Sequence, residues 1–120
     1  MPTHPHKAAC YRAIDDFLAA YQTRNIDLLD SRYGIGAEVL EEIDESVSFA
    51  PDKTRLHICP LSEADRIISG QPYLHMDEID GDYLVECALF LDNEHIGYII
   101  GEFNRQPDGS HRFNFQYFSF

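Results

Sequence analysis

The last third of the chain alternates apolar and polar residues, a period of two that strands satisfy and helices do not. Tyr83, Val85, Cys87, Leu89 and Leu91 share one face of a first run, which ends at the polar tetrad Asp92-Asn93-Glu94-His95. From Ile96 to Asn104 a second run sends Ile96, Tyr98 and Ile100 to one side and Ile99 and Phe103 to the other. Gln106-Pro107-Asp108-Gly109-Ser110 then supplies a fixed φ, a side-chain acceptor and a residue free to take positive φ, so the chain reverses there. The final run carries Phe113, Phe115 and Tyr117 on one face and Arg112, Asn114 and Gln116 on the other. The pattern predicts a three-stranded antiparallel meander from Tyr83 to Phe120.

Before the meander the apolar spacing is mostly helical. From about Lys7 to Gln22, Cys10, Ile14, Phe17, Leu18 and Tyr21 recur on one stripe. Asn25 caps a short second helix, Ile26 to about Arg32, with Asp27 near its positive end and Gly34 and Gly36 after it. Ala37 to about Val47 predicts a third helix, with Val39, Leu40, Ile43 and Val47 inward and Glu38, Glu41, Glu42 and Glu45 on the opposite side. Thr54 to Cys59 reads as a short strand stopped by Pro60. Ser62-Glu63-Ala64-Asp65 reads as the start of a short capped helix terminated by Gly70. Tyr73 to Ile79 is a further strand, which Asp80-Gly81 turns into the meander. The expected fold is α+β: N-terminal helices packed on a curved antiparallel sheet of four to five strands, one domain over residues 1–120, with 1–6 as a loose tip.

Composition narrows the class. A chain of 120 residues that is 44% hydrophobic and 12% aromatic sustains one core and is too apolar for a disordered segment. No run approaches the roughly 18 apolar residues of a membrane helix, and the start lacks the apolar stretch of a secretory signal, so a cytoplasmic protein is expected. Cys10, Cys59 and Cys87 form no Cys-x-x-Cys pair and suggest small core hydrophobes rather than disulfides or a zinc site. Removal of Met1 would put His4 third from a free amine, an arrangement that chelates copper or nickel in peptides; a solvated tip is the plainer reading. No nucleophile elbow, phosphate loop or spaced metal-ligand set is present, so neither cofactor nor metal is expected.

The order of elements resembles the cone-shaped α+β fold of the nuclear-transport-factor-2-like superfamily, which includes ketosteroid isomerase and scytalone dehydratase. Ile14-Asp-Asp-Phe-Leu-Ala-Ala-Tyr21 followed by Asn25-Ile-Asp-Leu-Leu-Asp30 is similar to the family's first helix and the short helix after it. The third segment departs from the family pattern, with Tyr33-Gly-Ile-Gly36 and an acidic helix where a strand is usual. The resemblance implies a pocket at the mouth of the cone, for which Tyr21, His75, Cys87, Tyr98 and Phe115 are candidates. It also implies acid–base chemistry there, for which His75 and Asp77, with Glu86 and Tyr98 on neighbouring strands, are the candidate groups. A solvated edge strand is the plainer reading of His75 and Asp77, and Tyr21, Cys87, Tyr98 and Phe115 also fit a packed core.

Charge favours a different class. Twenty-one acids against nine Lys and Arg give a formal net charge of -12, which repels phosphate backbones and anionic membranes and argues against both as partners. No Lys or Arg occurs between Arg32 and Lys53. The acidic face of the third helix and a second group, Asp77, Glu78, Asp80 and Asp82, form two patches suited to steering a basic protein partner. The preferred reading is a non-catalytic protein-binding module; by analogy of size, charge and absent chemistry, its specific form is a bacterial immunity protein that neutralises a basic toxin domain. The alternative is a small-ligand binder or a cofactor-free isomerase- or dehydratase-like enzyme using the cone pocket. A solvated face accounts equally for the acids, and a homodimer through the sheet is compatible with the pattern.

Overall fold

The computed structural model describes residues 6–68 and 70–120, so the expectations for the tip before His6, His4 among them, lie outside the described residues. Helix α1, Lys7–Gln22, buries Cys10, Ile14, Phe17, Leu18 and Tyr21, the stripe its spacing predicts. His6, expected with the loose tip, instead precedes α1 half-buried, its ring 4.5 Å from that of His111. Helix α2, Ile26–Tyr33, begins where Asn25 accepts the Leu28 N–H at 3.3 Å and ends at Gly34, whose φ of 67° suits a residue without Cβ. Helix α3, Ala37–Ser46, turns Leu40 and Ile43 inward, and Val47 follows them into the core. Val39, expected to point inward as well, is 41% exposed because it falls between the buried and the acidic faces.

Two segments depart from expectation. The strand read over 54–59 is confined to β1, Leu56–Ile58, after a 3₁₀ turn at Lys53–Arg55. The helix read from Ser62 is absent: a 3₁₀ turn at Leu61–Glu63 leads into a hairpin of β2, Ile67–Ile68, and β3, Gln71–Pro72. Among the described residues of this stretch only Ala64 is well buried, too little for a helical stripe, and two adjacent β-branched residues favour an extended chain. Gly70 serves the reversal with φ 86°, and backbone bonds from Tyr73 N–H to the Arg66 carbonyl and from Leu74 N–H to the Ala64 carbonyl close the hairpin's base.

Strands β4, Leu74–Ile79, β5, Asp82–Leu91, β6, Glu94–Arg105, and β7, His111–Ser119, complete the fold. The sheet order is β1-β5-β6-β7, all antiparallel. β4 and β1 share one edge of β5, β4 along Asp82–Cys87 and β1 along Leu89–Leu91. Left-handed Asp80 and Gly81 make the first turn of the meander as expected, and Gln106 N–H closes the last by bonding the Ser110 carbonyl at 2.7 Å.

Register shifts beside Leu89/Phe90 and Ile100/Gly101 each leave one residue unmatched, Ile96 on β6 and Gln116 on β7. Such bulges raise local twist, and the result is a strongly curled, cone-like sheet against which the three helices pack. The second bulge also reverses the expected alternation at the end of β7: Phe118 is 7% exposed and in the core, whereas Tyr117 is 55% exposed.

The core lies between the helices and the face carrying Tyr83, Val85, Cys87, Leu89, Ile99, Phe103 and Phe113. Phe17 of α1 sits at its centre, stacked on Phe115 at 4.5 Å and edge-on to Tyr33 at 5.3 Å. Gly97 and Gly101 allow β6 to approach β7 closely, since a Cβ on either would meet a backbone oxygen of β7.

Candidate functional site

On α3 the structure keeps all four predicted glutamates together. Glu38, Glu41, Glu42 and Glu45 are exposed on the side opposite Leu40, Ile43 and Val47, and none forms an ion pair among the described residues. Asp44, on the flank, has a structural role: its carboxylate takes two hydrogen bonds from Arg24 and one from the Tyr21 hydroxyl. Burial alone would raise the Asp44 carboxyl, but the bonds from Arg24 and Tyr21 outweigh it and hold it below its ordinary value. The helix therefore separates Asp44, its one ion-paired carboxylate, from four that form no ion pair among the described residues, of which Glu38 in the first turn has the helix dipole alone.

The second acidic group comes apart. Asp77 and Glu78 are consecutive strand residues and face opposite sides of the sheet. Asp77 meets His75 Nε2 at 3.1 Å, while Glu78 lines a polar recess of about 260 Å³ with Tyr83, Arg105 and His111. Asp82 accepts the Arg105 N–H at 2.7 Å, and exposed Asp80 makes the turn. Asp77 and Glu78 on opposite sides of the strand, with Asp82 bonded to a backbone amide, form no single negative face.

The pocket candidates fall on two sides of the sheet. Tyr21 and Cys87 are fully buried and Phe115 is partly buried, all three between helices and sheet. His75 and Tyr98 lie on the outer face, in register with Glu86 and Ala88 respectively, because alternate residues of each strand point away from the helices. His75 and Asp77, which share a face of β4, do meet, and Asp77's side chain is 63% exposed. Glu86 is taken up by Gln71, whose Nε2 donates to it at 2.7 Å.

A further site was not foreseen. On the outer face, His57 of β1 is the register partner of Phe90 of β5, and their rings lie parallel at 5.5 Å and 14°. Tyr73 stands across Phe90 at 5.5 Å and 72°, making an aromatic corner. Here a cleft of about 390 Å³ opens, lined also by Cys59, Pro60, Glu63 and Asn93. Burial, and then the neighbouring Glu63 carboxylate, push the Cys59 thiol up, so it is neutral and a poor nucleophile. The three rings come from distant parts of the chain and become neighbours only through register; the apolar–polar pattern carries no local signal for them.

Among the described residues no cluster of three or more His, Cys, Asp or Glu is placed to hold a metal ion, and no helix is long and apolar enough to cross a membrane. Compared with family models, curated proteins and solved structures, the chain matches none of them.

Proposed function

We propose that this protein is a non-catalytic binding module that receives a basic protein on the acidic face of α3. The observation that carries this reading is that Glu38, Glu41, Glu42 and Glu45 are exposed together, opposite the core face, with no ion-pair partner among the described residues. The pairs Glu38/Glu42 and Glu41/Glu45 each cost the helix about 0.2 to 0.5 kcal/mol, and no ion pair among the described residues recovers that cost, although Glu38 in the first turn gains from the helix dipole. A basic partner would, since a cationic face both neutralises the repulsion and is drawn in by the charge of -12. The specific form proposed is a bacterial immunity protein against a basic toxin domain, supported by size, charge and the neutral, buried thiols. Membership of the nuclear-transport-factor-2-like superfamily is likewise proposed, on the coarse arrangement of helices over a curled sheet alone.

The acid–base alternative is the weaker proposal, because His75 and Asp77 lie on the outer face and line none of the cavities described here. The test is capture of partners from the native host by the wild-type protein and by Glu41→Lys/Glu45→Lys, followed by titration at low and high salt. The double variant is expected to bind at least roughly tenfold more weakly, and added salt to weaken the wild type. Equal binding by both forms, or recovery of no basic protein, would overturn the reading.

A further inference from the structure

The aromatic corner on the outer face has the composition of a site for positive charge. Phe90 and Tyr73 meet edge to face and both line the cleft, so a group bound there reaches both rings, whose exposed faces carry the negative lobe of the ring quadrupole. Glu63 adds a carboxylate to the lining. Its partner among the described residues is Arg66, one exposed contact at 3.1 Å between residues three apart, an ion pair of a kind worth little and easily exchanged. No Lys or Arg lines the cleft, and Ile58, Cys59 and Pro60 give it apolar surface. At about 390 Å³ the space lies within the range of small-ligand sites.

We propose that this cleft binds an organic cation, an alkylammonium or guanidinium group carried on an apolar stem. The charged head lies against Phe90 and Tyr73 within reach of Glu63 and the Asn93 side chain, and the stem covers Pro60 and Cys59. An anion is rejected by Glu63, and a neutral apolar group leaves both the carboxylate and the ring faces unused. No residue of α3 lines the cleft, so the inference stands whether or not that helix meets a partner. The cation has two sources, a free small molecule or a lysine or arginine side chain presented by another protein.

The test is titration of the protein with choline, n-butylguanidinium and N-acetyl-arginine amide, followed by backbone amide NMR shifts. The neutral control is 3,3-dimethylbutan-1-ol, which has choline's shape without its charge. Saturable shifts confined to residues 57–63, 73 and 90–93 are expected with the cations, and binding about fivefold to tenfold weaker for the neutral control. Phe90→Leu is expected to weaken choline by a similar factor. Because Phe90 also packs in the sheet, Glu63→Gln serves as a second variant outside the sheet; it is expected to weaken the guanidinium more than choline, which has no N–H to donate. Binding of the arginine derivative at least as tight as that of n-butylguanidinium assigns the source to a protein side chain, and weaker binding assigns it to a free cation. No saturable shift with any cation, equal binding of the neutral control, or indifference to both substitutions would overturn the proposal.

Discussion

Arg24 and Asp44 meet as a two-pronged ion pair, Nη1 to Oδ1 at 2.8 Å and Nη2 to Oδ2 at 3.0 Å, which ties the end of α1 to α3. The Tyr21 hydroxyl donates to the same Oδ1 at 2.8 Å, and the guanidinium carbon lies 5.9 Å from the Tyr21 ring. Arg24 holds a φ of 56°, uncommon for a side-chain-bearing residue, and the pair is what its side chain gains there. The acidic helix is thus fastened to the rest of the molecule by its least exposed carboxylate.

Asp44→Asn should therefore loosen α3. The loss at about pH 7 is expected to be around 1 kcal/mol, between the values for exposed ion pairs and for partly buried hydrogen bonds to a charge. The sign with pH follows from the direction of the shift. A carboxyl held below its ordinary 3.8 contributes stability that is present above that value and is lost as pH falls through the lower folded value. Urea unfolding should show wild type and variant separated near neutrality and converging as the pH falls below 3.8. A constant separation across that range would mean that the ion pair is not what the substitution removes.

Close approach of β6 and β7 gives a second expectation. A Cβ on Gly97 would stand 2.1 Å from the Ser119 carbonyl oxygen, and one on Gly101 2.6 Å from that of Asn114 and 2.7 Å from a Phe113 ring carbon. Backbone oxygens in a paired strand cannot retreat, so Gly97→Ala and Gly101→Ala should each cost roughly 1 to 3 kcal/mol or more, the scale of overpacking. Gly36, with nothing within 4 Å, is the contrast. Its φ of -79° and ψ of 179° suit an N-cap, so Gly36→Ser should gain a few tenths of a kcal/mol. Denaturant midpoints for the three variants decide the order.

What could be read from the residues alone was set by how local its cause is. The α1 stripe, the Asn25 cap and the inward face of β5 each depend on neighbours within a few positions, and each was legible. Tyr117 and Phe118 exchange places because of a bulge opposite Ile100, and nothing near Tyr117 announces it. The hairpin after Leu61 was masked by a capping pattern at Ser62 whose buried stripe never develops. The candidate sites divide in the same way. The four α3 glutamates follow from helical spacing, whereas Glu78 and Asp82 find Arg105 only once β6 is laid beside β5. The corner of His57, Tyr73 and Phe90 belongs wholly to tertiary register.

The three thiols should be silent in the native protein. Burial pushes Cys10 up to about 12, carries Cys87 well above its ordinary value and raises Cys59, and all three side chains are buried. The thiolate is the reactive form, so a disulfide reagent at neutral pH should modify none of them faster than the protein opens. Cys59, which lines the outer cleft, should be the first to react. An immediate full-stoichiometry reaction at any one of the three would contradict this packing.

The last expectation separates stability from binding on α3. Glu42→Lys removes the Glu38/Glu42 repulsion and replaces it with an attraction in the favoured order, acid before base four residues on. It also brings a positive charge within three residues of Glu45. Each i,i+4 term is worth about 0.2 to 0.5 kcal/mol, so the variant should be more stable than wild type by roughly 0.4 to 1 kcal/mol at low salt. The gain should shrink at about 1 M salt, where the Debye length is about 3 Å and exposed charges no longer sense one another. Urea unfolding of the isolated protein at the two salt concentrations measures it. If the four glutamates serve a basic partner, the same substitution should weaken that complex while it strengthens the fold. A variant that is less stable than wild type at low salt would show that Glu42 makes a favourable contact within the molecule, and the acidic face could then no longer be regarded as surplus to folding.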